Sequence, residues 1–287
     1  MKENSKGILL VIIASILVGV SPIIVKLAYL KSETISIVGI KAISISVLVF
    51  LYLLFTRGVF RIEKKLVSKI ALVGILAGIL GTLLFTYALK SISAINASLL
   101  SNLQPIFVII VAFLLIGRKE KLSRMAYFGI FLMLVSSLAI TSGSWNNLLN
   151  LNFGTIGNIF VILAVIVWAC SDVIVKKYFR NTNSALVVFY TYLIASVFFL
   201  IFFFRETFIN WNFWAIVLGA LHGLQVILYY EGLKIIRVSK ASALGLFIPL
   251  VSILLSFLVF GEVISGLQII GTGVLIVGGY FLIRDKN

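Results

Sequence analysis

A chain of 287 residues that is 62% hydrophobic and only 11% charged, with a mean hydropathy of +1.21, carries too little polar surface to fold as a soluble globule. Its net charge of +15 would point to nucleic acid in a soluble protein, but here the basic residues sit in short links between apolar stretches. Composition therefore excludes a nucleic-acid binder and a soluble domain, and it defines an all-α polytopic membrane protein.

With about 20 apolar residues needed per crossing, ten transmembrane helices are predicted, over 7–29, 34–55, 69–89, 94–116, 124–142, 155–177, 184–204, 212–233, 240–260 and 264–283. Met1 to Gly7 is a short charged lead into an apolar stretch too long for a signal peptide, so the first helix is expected to stay. If the N-terminus is cytoplasmic, nineteen of the 24 Lys and Arg fall in links on that side, and only Lys31, Lys90 and Arg205 fall on the other. That bias predicts both termini inside, in the plasma membrane. Trp145, Trp211 and Trp214 lie in or beside predicted outer links, where amphipathic rings favour the headgroup layer.

The two halves match. Ser21, Lys26 and the residues between them align with Ser171 to Lys176, Gly74 and Gly78 with Gly219 and Gly223, and Leu89-Lys90, Ala97-Ser98, Pro105 and Gly117 with Leu233-Lys234, Ala241-Ser242, Pro249 and Gly261. The spacing of matched residues falls from 150 to 145 to 144 along the chain, as it would if the second copy had lost a few loop residues. Each half holds an odd number of spans, so the second enters the bilayer inverted relative to the first. Inverted pairing is a known basis for alternating access. The predicted organisation is a five-helix repeat over 1–142, an outer linker over 143–154 and a second five-helix repeat over 155–287.

Pro105 and Pro249 are expected mid-helix in the fourth and ninth spans, where proline removes a backbone hydrogen bond and kinks the helix. A water-lined path beside those spans is the functional expectation, and simple packing the plain one. The Gly-xxx-Gly pairs allow close helix approach.

Ionisable groups inside a bilayer cost about 2.5–3.5 kcal/mol each even on lenient scales, so each is a functional candidate. Lys26 lies toward the outer end of its span and is expected to snorkel to the interface. Lys41 lies two turns into the second span and is the leading candidate for an anionic substrate group such as a carboxylate. Asp172 and Lys176 share a helix face, which reads first as an ion pair near the inner rim and second as a gate. Glu231 and the single histidine, His222, are the candidates for proton coupling. Tyr87, Asn96, Asn102, Gln104, Tyr190, Tyr192, Tyr229 and Tyr230 supply uncharged hydrogen-bonding groups.

No metal or cofactor is expected. Cys170 is the only cysteine, and Asp172 and Asp285 are the only aspartates, too few for paired aspartate-rich diphosphate motifs and in unrelated places for an aspartyl-protease pair. A Walker-type phosphate loop is absent, so an enzyme and an ATP-driven pump are both disfavoured.

The run Ser91-Ile92-Ser93-Ala94-Ile95-Asn96-Ala97-Ser98 with Pro105 and Gly117, and Val238-Ser239-Lys240-Ala241-Ser242-Ala243 with Pro249 and Gly261-Glu262, resemble the EamA-like permeases of the drug/metabolite transporter superfamily. The first copy departs from the pattern, with Arg118 where an acidic residue is usual and Glu120 two positions on, and Lys41 stands where arginine is common. The resemblance implies a ten-helix bundle around a central cavity and transport of small metabolites such as amino acids, sugars or drugs. The expected function is a secondary transporter of small polar metabolites, amino acids or related compounds, working by alternating access. The alternative is a flippase for a lipid-linked sugar or phosphate lipid. Its partners would be the solute, the bilayer and protons, and the sequence is compatible with a homodimer.

Overall fold

In hydrocarbon every backbone N–H and C=O must be satisfied within its own segment, so the apolar stretches of this chain are forced into helices. The computed structural model describes residues 2–58, 60–117, 124–150, 155–209 and 211–283. The helices in chain order are α1 Lys2–Ala28, α2 Thr34–Phe55, α3 Val67–Val73, α4 Thr82–Ala88, α5 Ala94–Ser101, α6 Gln104–Ile116, α7 Arg124–Ser142, α8 Trp145–Leu149, α9 Ile156–Tyr178, α10 Ser184–Phe202, α11 Phe204–Phe208, α12 Phe213–Ile235, α13 Val238–Ala243, α14 Phe247–Phe260 and α15 Gly266–Ile283. A π-helical stretch, Gly74–Gly81, joins α3 to α4 without a break.

Seven helical stretches among the described residues are long and apolar enough to cross a membrane: Ser5–Ala28, Thr34–Phe55, Lys64–Ala88, Ala94–Leu115, Ile156–Tyr178, Ser184–Phe202 and Phe213–Ile235. The predicted fifth, ninth and tenth spans hold shorter apolar helices, Tyr127–Ile140, Ile248–Phe260 and Gly266–Phe281. Side chains such as Phe55, Leu114, Ile201 and Phe257 stand exposed around the bundle, a surface that suits lipid and not water. Trp145 and Trp211 are exposed as well, whereas Trp214 packs edge-on against Phe213.

Chain breaks are placed by local chemistry. Asn212, Asn183 and Ser93 cap α12, α10 and α5, each accepting a backbone N–H of the first turn. The proline expectation needs correcting. The fourth span is interrupted before Pro105, between Ser101 and Gln104, and Pro105 sits in the first turn of α6, where its missing N–H costs nothing. At the break the N–H groups of Asn102 and Leu103 donate three residues back, and the Asn102 side chain takes over the Ser98 carbonyl at 3.2 Å. Pro249 likewise falls in the first turn of α14, after the 3₁₀ turn Leu244–Leu246.

The matched glycines carry the contacts between the halves. A Cβ on Gly74 would meet Ile194, and one on Gly78 the Thr191 carbonyl, so α3 and the π-helical stretch lie on α10. In the same way Gly219 meets Ser44 and the Lys41 carbonyl, and Gly223 meets Ile45, so α12 lies on α2. Gly7 and Gly232 bring α1 onto α12, and Gly157 brings α9 onto the end of α4 at the Ala88 carbonyl. Each half thus packs its third span on the first and second spans of the other. Ser46 and Ser196, 150 positions apart like the residues matched from the first span, share a hydrogen bond of 2.9 Å. Helices α7 and α15 form a separate pair, with Gly278 against the Gly129 carbonyl.

Candidate functional site

A cavity of about 140 Å³ lies in the middle of the bundle, room for on the order of ten waters. Helical spacing aims its lining. On α12 His222, Gln225, Val226 and Tyr229 recur at three- and four-residue intervals, on α9 Trp168, Ser171 and Asp172 form one patch, and on α1 Ala14, Val18, Ser21 and Val25 do so. The two interrupted spans supply Ser98, Ser101 and Gln104 on one side and Ala241, Gly245 and Ile248 on the other. Irregular backbone inside a membrane protein is tolerated where it borders such a cavity.

Two ionisable groups dominate the site. Asp172 is 7% exposed, and its Oδ2 accepts from Gln104 Nε2 at 2.7 Å and from the Tyr229 hydroxyl at 3.1 Å. Lys41 is 6% exposed and makes no hydrogen bond or ion pair among the described residues. His222 Nε2 and the Tyr192 hydroxyl share a hydrogen bond of 2.6 Å, with the rings edge to face. Buried Gln225 leaves its Oε1 without a partner among the described residues, while Phe85 and Trp168 form an aromatic pair in the wall. Among the described residues the site offers a buried amine, a buried carboxyl, free acceptor capacity and aromatic surface.

The cavity brings together Lys41, Gln104, Asp172, Tyr192, His222, Tyr229 and Tyr230 from the sequence candidates. Others lie elsewhere. Tyr87 is 48% exposed in a separate groove with Lys90 and Phe160. Tyr190 donates to the Phe60 carbonyl at 2.6 Å and holds the α2–α3 link, and Asn102 serves the helix break. Glu231 accepts from Lys234 at 2.7 Å in a surface groove with Arg180. Asp172 and Lys176 have different partners, for Lys176 donates to the carbonyls of Leu233 and Ile236 at the end of α12. Ser98, Ser101 and Gln225, which sequence reasoning did not single out as site residues, line the cavity because tertiary packing turns those faces inward.

A second cluster closes the bundle at the end that carries Lys31. Instead of snorkelling, Lys26 donates to Glu262 Oε1 at 2.9 Å. Asn212 Nδ2 donates to the Ala28 carbonyl at 2.8 Å, and the Tyr29 hydroxyl donates to the Thr86 carbonyl at 2.7 Å. Burial alone would raise the Glu262 carboxyl, but the Ser256 hydroxyl and the Lys26 ammonium hold it below the usual carboxylate range. A carboxyl lowered in the fold contributes stability above its unfolded pKa and loses it as pH falls through the folded value. The thermal midpoint of the parent minus that of Glu262→Gln should therefore be constant from neutral pH down to the ordinary carboxylate range and shrink only in stronger acid. A difference that grows on acidification would reverse the sign.

Apolar helices interlocked around a small central cavity define the class, a multi-pass membrane protein. The chain belongs to the EamA-like transporter family, which matches residues 5–142 and again 155–284. It is 28% identical over 222 residues to protein LicB of Haemophilus influenzae, an alignment covering 72% of each chain. The riboflavin transporter ImpX of Fusobacterium nucleatum is 27% identical over 242 residues, covering 77% of this chain and 78% of its own. The uncharacterized transporter YyaM of Bacillus subtilis is 26% identical over 240 residues, covering 79% and 76%. A solved crystal structure superimposes over 97% of both chains with a TM-score of 0.68 at 16% identity, a likeness of fold. The Arg118 and Glu120 of the first copy's motif lie outside the described residues.

Proposed function

We propose that the protein is a secondary carrier of small zwitterionic metabolites, amino acids or related compounds, working by alternating access in the plasma membrane. The single observation that carries this reading is the presence of a buried amine and a buried carboxyl, Lys41 and Asp172, in one central cavity with no ion pair between them. An uncompensated buried charge is costly, and a ligand bearing both a carboxylate and an ammonium offsets both costs at once. Lys41 receives the carboxylate, and Asp172 exchanges the hydrogen bonds of Gln104 and Tyr229 for the ammonium.

The reading takes the chain as ten spans with both termini cytoplasmic, in two inverted repeats over 1–142 and 155–287 joined by 143–154. Support comes from the distribution of Lys and Arg, from the family match in two copies, and from the reciprocal packing around Ser46 and Ser196. Rocking one set of interlocked spans against the other exposes the cavity to each side in turn. His222, bonded to Tyr192 beside the cavity, is the residue placed to couple a proton.

The test is solute counterflow in proteoliposomes with labelled amino acids, sugars, nucleosides and riboflavin, each with and without a pH gradient. Saturable counterflow of amino acids, reduced at least about tenfold by Asp172→Asn, is the expected result. Counterflow of uncharged solutes alone would remove the zwitterion reading. Absence of all counterflow from folded protein that scrambles a lipid-linked sugar would replace the carrier by a flippase.

A further inference from the structure

The distance between the two ionisable groups of the cavity follows from where each of them meets α12. Gly219 lies against the Lys41 carbonyl, and Gly223, one turn on, lies against Ile45 and Val49, so α2 and α12 run parallel. Asp172 meets α12 at Tyr229, whose hydroxyl donates to its Oδ2 at 3.1 Å. Gly219 and Tyr229 are ten positions apart, about 15 Å of helix. Helical side chains lean toward the N-terminus, a direction that carries Tyr229 back by up to about 6 Å and points Lys41 away from Asp172. About 9 Å or more therefore separates amine from carboxyl along the axis. In keeping with that distance, Lys41 acts electrostatically on His222 and Asp172 on Tyr230, while neither is among the groups that act on the other.

The cavity that joins them is long and thin. Its lining runs on α12 from Leu218 to Tyr230. On α1 it runs from Ala14 to Val25, and α1 lies antiparallel to α12, with Gly7 against Ile235 and Gly232 against Val11. Spread over roughly 16 Å of helix, a volume of about 140 Å³ leaves a passage little wider than an unbranched hydrocarbon chain. Val18 and Val226 face it between the two ends, and the Phe85–Trp168 pair adds apolar wall.

An α-amino acid holds its carboxylate and ammonium about 3 Å apart, so with a contact of about 2.8 Å at each end it bridges less than about 9 Å. Each methylene placed between the two charges adds about 1.3 Å of reach. We propose that the preferred solute is a linear ω-amino carboxylate of about four to six carbons, with its carboxylate on Lys41, its ammonium on Asp172 and its methylenes along Val18 and Val226. This rests on the carrier reading and narrows its substrate from zwitterions in general to those whose charges stand several bonds apart.

The test measures counterflow in proteoliposomes for glycine, L-alanine, β-alanine, γ-aminobutyrate, δ-aminovalerate and ε-aminocaproate. The ratio kcat/KM should rise by roughly tenfold or more from the two α-amino acids to the three longest members, the scale of gaining a charge-assisted contact. A second readout needs no transport. In the purified parent, δ-aminovalerate should raise the thermal midpoint more than pentanoate or pentylamine, which carry one charge each, and in Lys41→Met its advantage over pentylamine should vanish. Glycine or L-alanine carried as well as the longer members, or an advantage that survives in Lys41→Met, would overturn the spacing while leaving the carrier. No counterflow of any of the six by folded protein would overturn the carrier reading itself.

Discussion

Replacing Lys41 by methionine is expected to abolish transport and at the same time to raise the thermal midpoint of the purified protein. Lys41 is 6% exposed and finds no carboxylate partner among the described residues. Apolar replacement of buried charged groups is often neutral or stabilising, by about 1–4 kcal/mol. Methionine has nearly the same length and adapts to irregular space, so no cavity opens in α2. The carrier loses its contact for a carboxylate, and counterflow of amino acids should fall by at least about a hundredfold, the scale of losing a buried charge-assisted contact. Loss of transport with a lowered midpoint would make Lys41 a structural residue. A raised midpoint with transport intact would remove it from the substrate site.

Gly219→Ala is expected to be among the most damaging small substitutions in the bundle, while Gly223→Ala, one turn away in the same Gly-xxx-Gly pair, is expected to be mild. A Cβ on Gly219 would stand 2.6 Å from Ser44 Cβ and 2.9 Å from the Lys41 carbonyl, so a helix backbone has to move. On Gly223 the nearest atom is Ile45 Cγ2 at 3.3 Å, the end of a side chain that can give way. Overpacking of this kind costs about 1–3 kcal/mol, more than the roughly 1 kcal/mol that alanine gains over glycine in a helix. The displaced segment of α2 carries Lys41, so Gly219→Ala should weaken substrate affinity as well as the thermal midpoint. Midpoints in detergent for the two variants give the comparison, and equal effects would mean that α12 and α2 are not held at this distance.

The site was partly legible before the fold was known, and the reason lies in how unusual each residue is in its surroundings. A lysine, an aspartate and a histidine within apolar runs announce themselves, since hydrocarbon penalises them wherever they point, and Lys41, Asp172 and His222 all line the cavity. Tyrosines, serines and amides cost too little to announce anything. Tyr87, Tyr190 and Asn102 looked as suitable as Tyr229, Tyr192 and Gln104, yet the first three serve a surface groove, a loop carbonyl and a helix break. The role of Glu262 was hidden for another reason. Its partner Lys26 lies 236 positions away, and a separation of that size leaves no periodic trace.

What the sequence by itself determined is the set of apolar helices, the doubled family pattern and the charge asymmetry of the links, because these follow from hydrophobic length, spacing and counting. Only the tertiary structure decided which helix faces meet in the centre, that the fourth and ninth spans break before their prolines, and that Lys26 closes one end on Glu262 and not at the membrane surface. Those outcomes depend on which glycines let two helices touch and on where a side chain finds a partner across the bundle. Both are properties of packed neighbours that no single segment contains.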